Sequence, residues 1–478
     1  MNLAGQKIAI FGLGRSGLGI GRAALALGAE PRVYDESPKG SVAKQEAVQD
    51  AERIGLPVTF GWDGTLPPDT TSLVLNPAVR KTHPKIQAAL DQGVEVIGEV
   101  EFGYRISKAP IVAITGTNGK STTTVMTYLC LKACGVDTAL CGNIFGSGYP
   151  EMSLTDAALS STPDQVLVAE ISSFQLEWIR DFRPVSAGIT NIWPDHLDRY
   201  ESFEEYAATK QKLFSNMKAG DYIVIRANDP VVAPPGGSRS AYVPRGRRTR
   251  SATTQEQSLP RVFTFGATGN DGRVEERDLI LVDKHVSLDS LPFREPHNYQ
   301  NACMAALLAY GALLARGGKT EMADCVVEGL RSFRGLSHRM ELVGDREGVR
   351  VINNSMCTNP DAVIKSVQAV KDRTHILMGG VNKNLDFGPL RHYLANHRHQ
   401  AYLYGADAGQ LSEMLGGGFP IYASMEHAFR EAVKNATKGE VVMLAPGCAS
   451  MDSFSDFRER GDVFKAIAKD WLNHEPDK

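Results

Sequence analysis

The sequence predicts three consecutive α/β domains whose sheets are mainly parallel. Three observations predict this. The length of 478 residues leaves room for about three domains at roughly 150 residues each. Short apolar runs alternate with helical stretches along the chain, and two glycine-rich loops each directly follow such a run. Strand–helix alternation at this spacing buries a sheet on both faces, the layout of a doubly wound parallel sheet.

The first hundred residues set the pattern. Ile8–Phe11 reads as a buried strand, Ser16–Leu27 as a helix, and Pro31–Tyr34 as a second strand. Ser72–Leu75 and Val94–Ile97 continue the series. The polar stretch Ser107-Lys108-Ala109-Pro110 closes a Rossmann-like N-terminal domain, placed at residues 1–108. A central P-loop ATPase domain follows over 109–294, with strands at Ile111–Ile114, Val166–Ala169, Ala187–Thr190 and Tyr222–Ile225. Residues 232–261 are rich in Pro, Gly and Ser and carry Arg245, Arg247, Arg248 and Arg250, and they read as a solvated surface loop. A second Rossmann-like domain is placed at 295–478. It opens with the alanine-rich helix Tyr299–Arg316 and continues with strands at Arg350–Ile352, Thr374–Met378, Ala401–Tyr404 and Val441–Ala445.

Composition narrows the function. Fifty-two basic against 55 acidic side chains leave a net charge of −3, which offers no electrostatic footing for nucleic acid or an anionic membrane. The longest uncharged apolar run, Ala302–Ala315, falls short of the roughly 20 residues a membrane span needs. The run after Lys7 ends at Arg15 and is too short for a secretory signal. Seven cysteines are too sparse for a disulfide framework, and Cys130 with Cys134, one helical turn apart, reads as packing. The expectation is a reduced, soluble, cytoplasmic monomer.

The most informative segment is Ile111–Thr124, IVAITGTNGKSTTT. A strand runs into Gly116, Thr117, Asn118 and Gly119, and a helix begins near Lys120, Ser121 and Thr122. Such a loop curls its N–H groups inward, and the helix N-terminus adds roughly half a positive charge. Lys120 can neutralise β- and γ-phosphate oxygens, and Ser121 offers a hydroxyl to Mg²⁺. Near the N-terminus, Gly12-Leu13-Gly14-Arg15-Ser16-Gly17 follows a strand and Asp35 ends the next one. This fits the dinucleotide fingerprint, so a dehydrogenase is the competing reading from another class. A pyrophosphate-binding loop accepts whatever is attached to the pyrophosphate, however. With a separate ATP loop downstream, a nucleotide-linked substrate explains both.

In combination, several motifs make the chain resemble the Mur ligase family. They are TGTNGKST, AEISSFQLE at Ala169–Glu177, NIWPDHLDRY at Asn191–Tyr200 and His297-Asn298. GLSHR at Gly335–Arg339, GGVNK at Gly379–Lys383 and CASMDSFSDF at Cys448–Phe457 complete the set. The resemblance implies an ATP-dependent amide-forming ligase that joins glutamate to UDP-N-acetylmuramoyl-L-alanine through an acyl phosphate. It assigns catalytic roles to Lys120, Glu170, His196 and Lys210. Ser121, Glu170, His196 and Lys210 as a carbamate would hold Mg²⁺, two ions in all. Asn301 would meet adenine and Arg339 the phosphates. Gly14, Arg15, Ser16, Asp35, Asn76, Asn143 and Ser172 would bind the UDP substrate. Thr358, Lys383, Ser450 and Phe457 fall at the family's glutamate positions, where fixed donors and a cation suit a dicarboxylate.

Two departures stand out. Where the family usually reads Asn-Asp-Ser-Lys-Ala-Thr-Asn, this chain has Asn353-Asn354-Ser355-Met356-Cys357-Thr358-Asn359, and Asn76-Pro77-Ala78 replaces Ser-Pro-Gly. Other acceptors remain open, either L-glutamate addition or folylpolyglutamate synthesis, and so does a non-catalytic nucleotide-binding role. The UDP-type N-terminal domain opposes the folate option.

Overall fold

The structure, a computed structural model, describes residues 3–41, 44–196, 199–232, 259–319, 321–382 and 385–473. The arginine-rich stretch falls largely outside them. The chain divides into two compact units, one built from residues 1–145 and 149–334, the other from 146–148 and 335–478.

The first unit starts with β1 (Lys7–Phe11), α1 (Arg15–Ala26), β2 (Glu30–Asp35), α2 (Gln45–Arg53) and β3 (Val58–Phe60). Then come β4 (Ser72–Leu75), α3 (Pro84–Asp91), β5 (Glu95–Gly98) and α4 (Glu99–Ile106). The five strands form a parallel sheet in the order β3-β2-β1-β4-β5. The order reverses beside β1, so a crevice opens at the glycine loop that follows this strand.

The larger sheet of the same unit contains β6 (Ile111–Thr115), then α5 (Lys120–Ala133), β7 (Thr138–Gly142), β8 (Glu151–Met152) and α6 (Leu154–Ser160). It continues with β9 (Val166–Glu170), α7 (Ser173–Leu176), β10 (Ser186–Ile189), α8 (Phe203–Gln211) and β11 (Tyr222–Arg226). Strands β12 (Arg261–Phe265), β13 (Gly272–Glu275), β14 (Asp278–Leu281) and β15 (Lys284–Ser287) extend it, and helices α9 (Pro296–Ala315) and α10 (Asp324–Arg331) follow. The sheet order is β15-β14-β13-β12-β11-β10-β6-β9-β7-β8. Its parallel centre, β10-β6-β9, is buried along its length and reads as nearly continuous apolar sequence. The β13–β15 end is antiparallel.

One apolar cluster runs from Leu3 through Ile111 to Val232. Helix α9, expected to open the third domain, falls within the first compact unit. Helix α9 packs on α5, β10 and β11, and α10 packs on α5. Ala302 through Ala312 of α9 are buried without interruption, and a helix apolar on all sides belongs inside a core.

Cysteine usage needs a correction too. Cys130 is buried, as packing predicts, but Cys134 at the end of α5 is disulfide-bonded to Cys325 in α10, 191 residues away. The expectation of a wholly reduced chain therefore does not hold for this pair. Its partner lies on a helix that sequence spacing does not relate to α5.

The second unit has β16 (Glu341–Arg346), β17 (Val349–Asn353), α11 (Pro360–Val370), β18 (Thr374–Gly379) and α12 (Gly388–Ala395). After these come β19 (Gln400–Tyr404), α13 (Ala408–Met414), α14 (Met425–Asn435), β20 (Val441–Leu444) and α15 (Phe457–Asn473). The order is β16-β17-β20-β18-β19, parallel apart from the β16 edge. Ile376 and Met378 face one core and Leu377 the other, the two-residue alternation of a sheet covered on both sides.

Candidate active site

The phosphate loop is held open by a dense set of backbone bonds. Gly119 caps α5 in the left-handed region at φ 83°, and a Cβ there would lie 2.5 Å from Asn301 Oδ1. Only glycine fits that turn and that approach. Asn191 braces the loop: its carbonyl accepts from Thr117 N–H at 2.9 Å and its Oδ1 from Asn118 N–H at 3.0 Å. Thr190 and Asn191 side chains both donate to Asn118 O. Lys120 Nζ reaches back to Thr117 O at 3.0 Å, and Ser121 and Thr122 lie in the first turn of α5. Asn301 is buried on α9, accepting from Thr123 Oγ1 and donating to Asn298.

Glu170 ends β9, directly beside β6, which delivers the loop. Its Oε1 accepts from Asn143 Nδ2 at 3.1 Å, whereas its buried Oε2 and Thr115 Oγ1 have no hydrogen-bond partner among the described residues. A buried carboxylate oxygen left unpaired is costly. A hard cation resolves that cost, and Mg²⁺ is commonly held by one or two carboxylates plus phosphate oxygens. No three His, Cys, Asp or Glu side chains among the described residues form a ligating cluster. A single buried carboxylate beside a phosphate loop suits a cation that arrives with phosphates. His196 has φ 53°, a half-exposed ring and an edge contact with Phe174 at 4.8 Å.

Lys210 lies on α8, 2% exposed, with Nζ donating to Gly116 O at 2.8 Å and resting over the Tyr206 ring. Burial, and then the positive charge of Lys120, push its pKa down to about 7. A free amine is therefore well populated near neutrality, the form that can capture CO₂. The structure thus buries this lysine against the phosphate loop.

At the first loop, Gly12, Gly14 and Asn76 converge, since a Cβ on Gly14 would lie 3.5 Å from Asn76 Nδ2. Gly17 packs so closely that a Cβ would meet Gly12 O at 2.2 Å. Asp35 Oδ2 accepts from Leu13 N–H at 2.7 Å and pairs with Lys44, while Oδ1 takes Ser37 N–H. Burial would raise the Asp35 carboxyl, but these N–H donors and Lys44 bring it below the usual range. Asp35 thus shapes the loop. Arg15 lies over the Phe145 ring at 5.0 Å, and Ser16 is in the first turn of α1. Ser172 caps α7 in a reciprocal capping box with Gln175, whose amide donates to buried Glu99.

Sequence reasoning passed over Arg199. It forms a two-pronged pair with Glu177 at 2.8 Å, lies over Phe174, and donates to Ala78 O and Val79 O. This ties the Asn76 loop to the segment carrying His196. Its only sequence signal was its place in the DHLDRY run.

In the second unit, Thr358 is half-buried after β17, Ser450 is buried after β20, and Phe457 opens α15. All three lie beyond the carboxyl ends of parallel strands, where open α/β sheets take ligands. Lys383 lies outside the described residues. Arg339 is exposed. Asn354, standing where the family has an acid, donates to Ser366 Oγ at 2.7 Å and accepts from Met340 N–H, and Met356 is exposed.

A phosphate loop with a buried carboxylate beside it, set among three mainly parallel sheets, is the framework of a nucleotide-dependent enzyme, and comparison with known proteins places it. Residues 6–98 match the Mur ligase MurD-like N-terminal domain, 114–309 the Mur ligase middle domain, and 338–448 the glutamate ligase domain of the Mur ligases. The chain belongs to the Mur ligase family. It is 34% identical to the UDP-N-acetylmuramoylalanine–D-glutamate ligase of Caldanaerobacter subterraneus, over 98% of this chain and 99% of that protein. A Shigella sonnei enzyme of the same name is 33% identical over 98% of both chains. The crystal structure of UDP-N-acetylmuramate-alanine ligase from Thermotoga maritima has the same fold, with a TM-score of 0.55 at 19% identity, covering 97% of this chain and 99% of that one. No described helix is long and apolar enough to cross a membrane.

Proposed function

We propose that this chain is an ATP-dependent amide-forming ligase that adds D-glutamate to UDP-N-acetylmuramoyl-L-alanine in peptidoglycan synthesis. In the first half-reaction the alanyl carboxylate of the acceptor attacks the γ-phosphorus of ATP in line, giving an acyl phosphate and ADP. The glutamate amine then adds to the acyl carbon. The intermediate loses phosphate and a proton, leaving the amide. Positioning and charge neutralisation dominate the first step. Lys120 supplies a fixed positive charge to the transferred phosphoryl group. Bound Mg²⁺ would add Lewis-acid neutralisation of the phosphates, with Glu170 and Ser121 holding one ion and His196 and the Lys210 carbamate serving a second. That carbamate forms when the neutral Lys210 amine adds to CO₂ and releases a proton, replacing a cation by an oxygen anion.

The remaining residues divide by substrate. Gly14, Arg15, Ser16, Asp35 and Asn76 take the UDP moiety, and Asn143 with Ser172 the acceptor's reacting end. Gly116 through Thr122, Asn301 and Arg339 serve ATP. Thr358, Lys383, Ser450 and Phe457 receive glutamate. The observation that carries this reading is the buried Glu170 Oε2 beside the phosphate-loop strand, unpaired among the described residues. The test is phosphate release from ATP with UDP-N-acetylmuramoyl-L-alanine and each glutamate enantiomer. Release that depends on both the acceptor and D-glutamate is expected. Release with L-glutamate alone, or with neither amino acid, contradicts it.

A further inference from the structure

Arg460 is the largest fully buried side chain in the second unit, with 0% exposure. It projects from the first turns of α15 into the carboxyl ends of three neighbouring strands. Its Nε donates to Ser355 Oγ at 3.1 Å and its Nη2 to Ser355 O at 2.9 Å, just beyond β17. Its Nη1 is shared between Cys448 O at 3.2 Å, beyond β20, and Gly379 O at 3.4 Å, the last residue of β18. Ser355 Oγ in turn donates to Phe457 O at 2.7 Å. Among the described residues no carboxylate lies within ion-pair distance of this guanidinium. Asp452, the acid acting on it from further off, accepts from Ala406 N–H.

A buried cation is costly unless something anionic compensates it. Here its protein partners are neutral oxygens. The ends they belong to carry Thr358, Ser450 and Phe457, the positions assigned above to glutamate. Carbonyl oxygens clustered at strand ends would repel a carboxylate. A guanidinium that occupies those carbonyls and adds a whole positive charge behind them reverses the local sign.

We propose that Arg460 is a positioning residue of the amino-acid subsite: it holds three strand ends in register and makes the floor of the subsite electropositive, so that a dicarboxylic amino acid is preferred over a neutral one. This rests on the ligase reading given above. Arg460 touches no substrate itself and acts through Ser355, Gly379, Cys448 and the residues after them.

Arg460→Met keeps most of the side-chain volume and removes the charge. Steady-state kinetics should give a glutamate KM raised at least tenfold while the KM values for ATP and the UDP substrate stay within twofold. Preference for glutamate over glutamine, read as the ratio of glutamate KM to glutamine inhibition constant, should weaken at least tenfold. Arg460→Lys keeps the charge but not the fork, and should restore the preference more than the KM. If Arg460→Met does not give folded protein, Ser355→Ala decides, because it breaks the link to Phe457 and leaves the cation. It should raise the glutamate KM severalfold with ATP KM unchanged. Equal changes in all three KM values, or a fall in kcat alone with a lowered Tm, would mean that Arg460 only holds the fold. The unmodified enzyme separates the two layers. Turnover with a different dicarboxylic amino acid would overturn the D-glutamate assignment and leave Arg460 its role, while preference for a neutral amino acid would overturn both.

Discussion

Lys120 and Lys210 are two cations at one loop with opposite assignments. Lys120 lies at the head of α5 and folds back on Thr117 O, a resting position from which it can swing to phosphate. Lys120→Ala should lower kcat by about 10²–10³, the usual loss for one preorganised donor at a transition state, while calorimetry finds the UDP substrate bound as before. Equal loss of both would point to fold damage. Lys210 is buried, with its pKa pushed down to about 7 by burial and then by Lys120. Lys210→Ala should be nearly inactive, and a short-chain carboxylic acid in the assay should restore part of the rate by replacing the carbamate oxygens. Rescue by a short-chain amine in place of the acid would show that the lysine works as a plain cation. The loop itself was legible in the sequence because strand, glycines, lysine and helix are consecutive. Arg199 and Arg460 were not, because their partners lie on strands and loops far away in the chain.

Among the elements, the continuous apolar runs of β1, β4, β6, β9, β18 and β20 announced themselves, since strands buried on both faces need no polar alternation. The short alternating strands β13–β15 did not. They resemble loop until β12 gives them an edge to pair with. The amino ends of the second unit's strands carry an acid-sensitive cluster. Buried His375 on β18 contacts Tyr402 OH on β19 at 2.9 Å and Glu440 at 3.0 Å. Burial would raise the Glu440 carboxyl, but His375, Thr437 N–H and Arg373 bring it down to about 2 from 4.5. A carboxyl whose folded pKa is depressed contributes stability that is fully present above its unfolded pKa and fades as pH falls through the folded one. Its contribution should therefore disappear between about pH 4.5 and pH 2. Glu440→Gln should lower Tm at pH 7 and flatten the Tm–pH curve across that window. Parallel curves for mutant and wild type would remove Glu440 from the acid response.

For the whole chain, the sequence expectation puts a boundary at residue 295, whereas compactness groups the chain at 334/335, through packing that sequence order does not carry. Helix α9 looks like the opening element of a domain. Its apolar surface nevertheless belongs to β10, β11 and α5. The consequence can be read with two fragments. Residues 335–478 contain a five-stranded sheet with an apolar cluster on each face, so this piece should express alone and unfold cooperatively in urea. Residues 295–478 add α9 and α10 without the sheet that covers them, leaving thirteen residues of α9 that are buried in the full chain facing water. An exposed apolar surface of that kind drives association, so the longer fragment should elute as oligomers or bind a hydrophobic dye strongly, and the shorter one should do neither. If the longer fragment proved the better-behaved monomer, the boundary at residue 295 would stand.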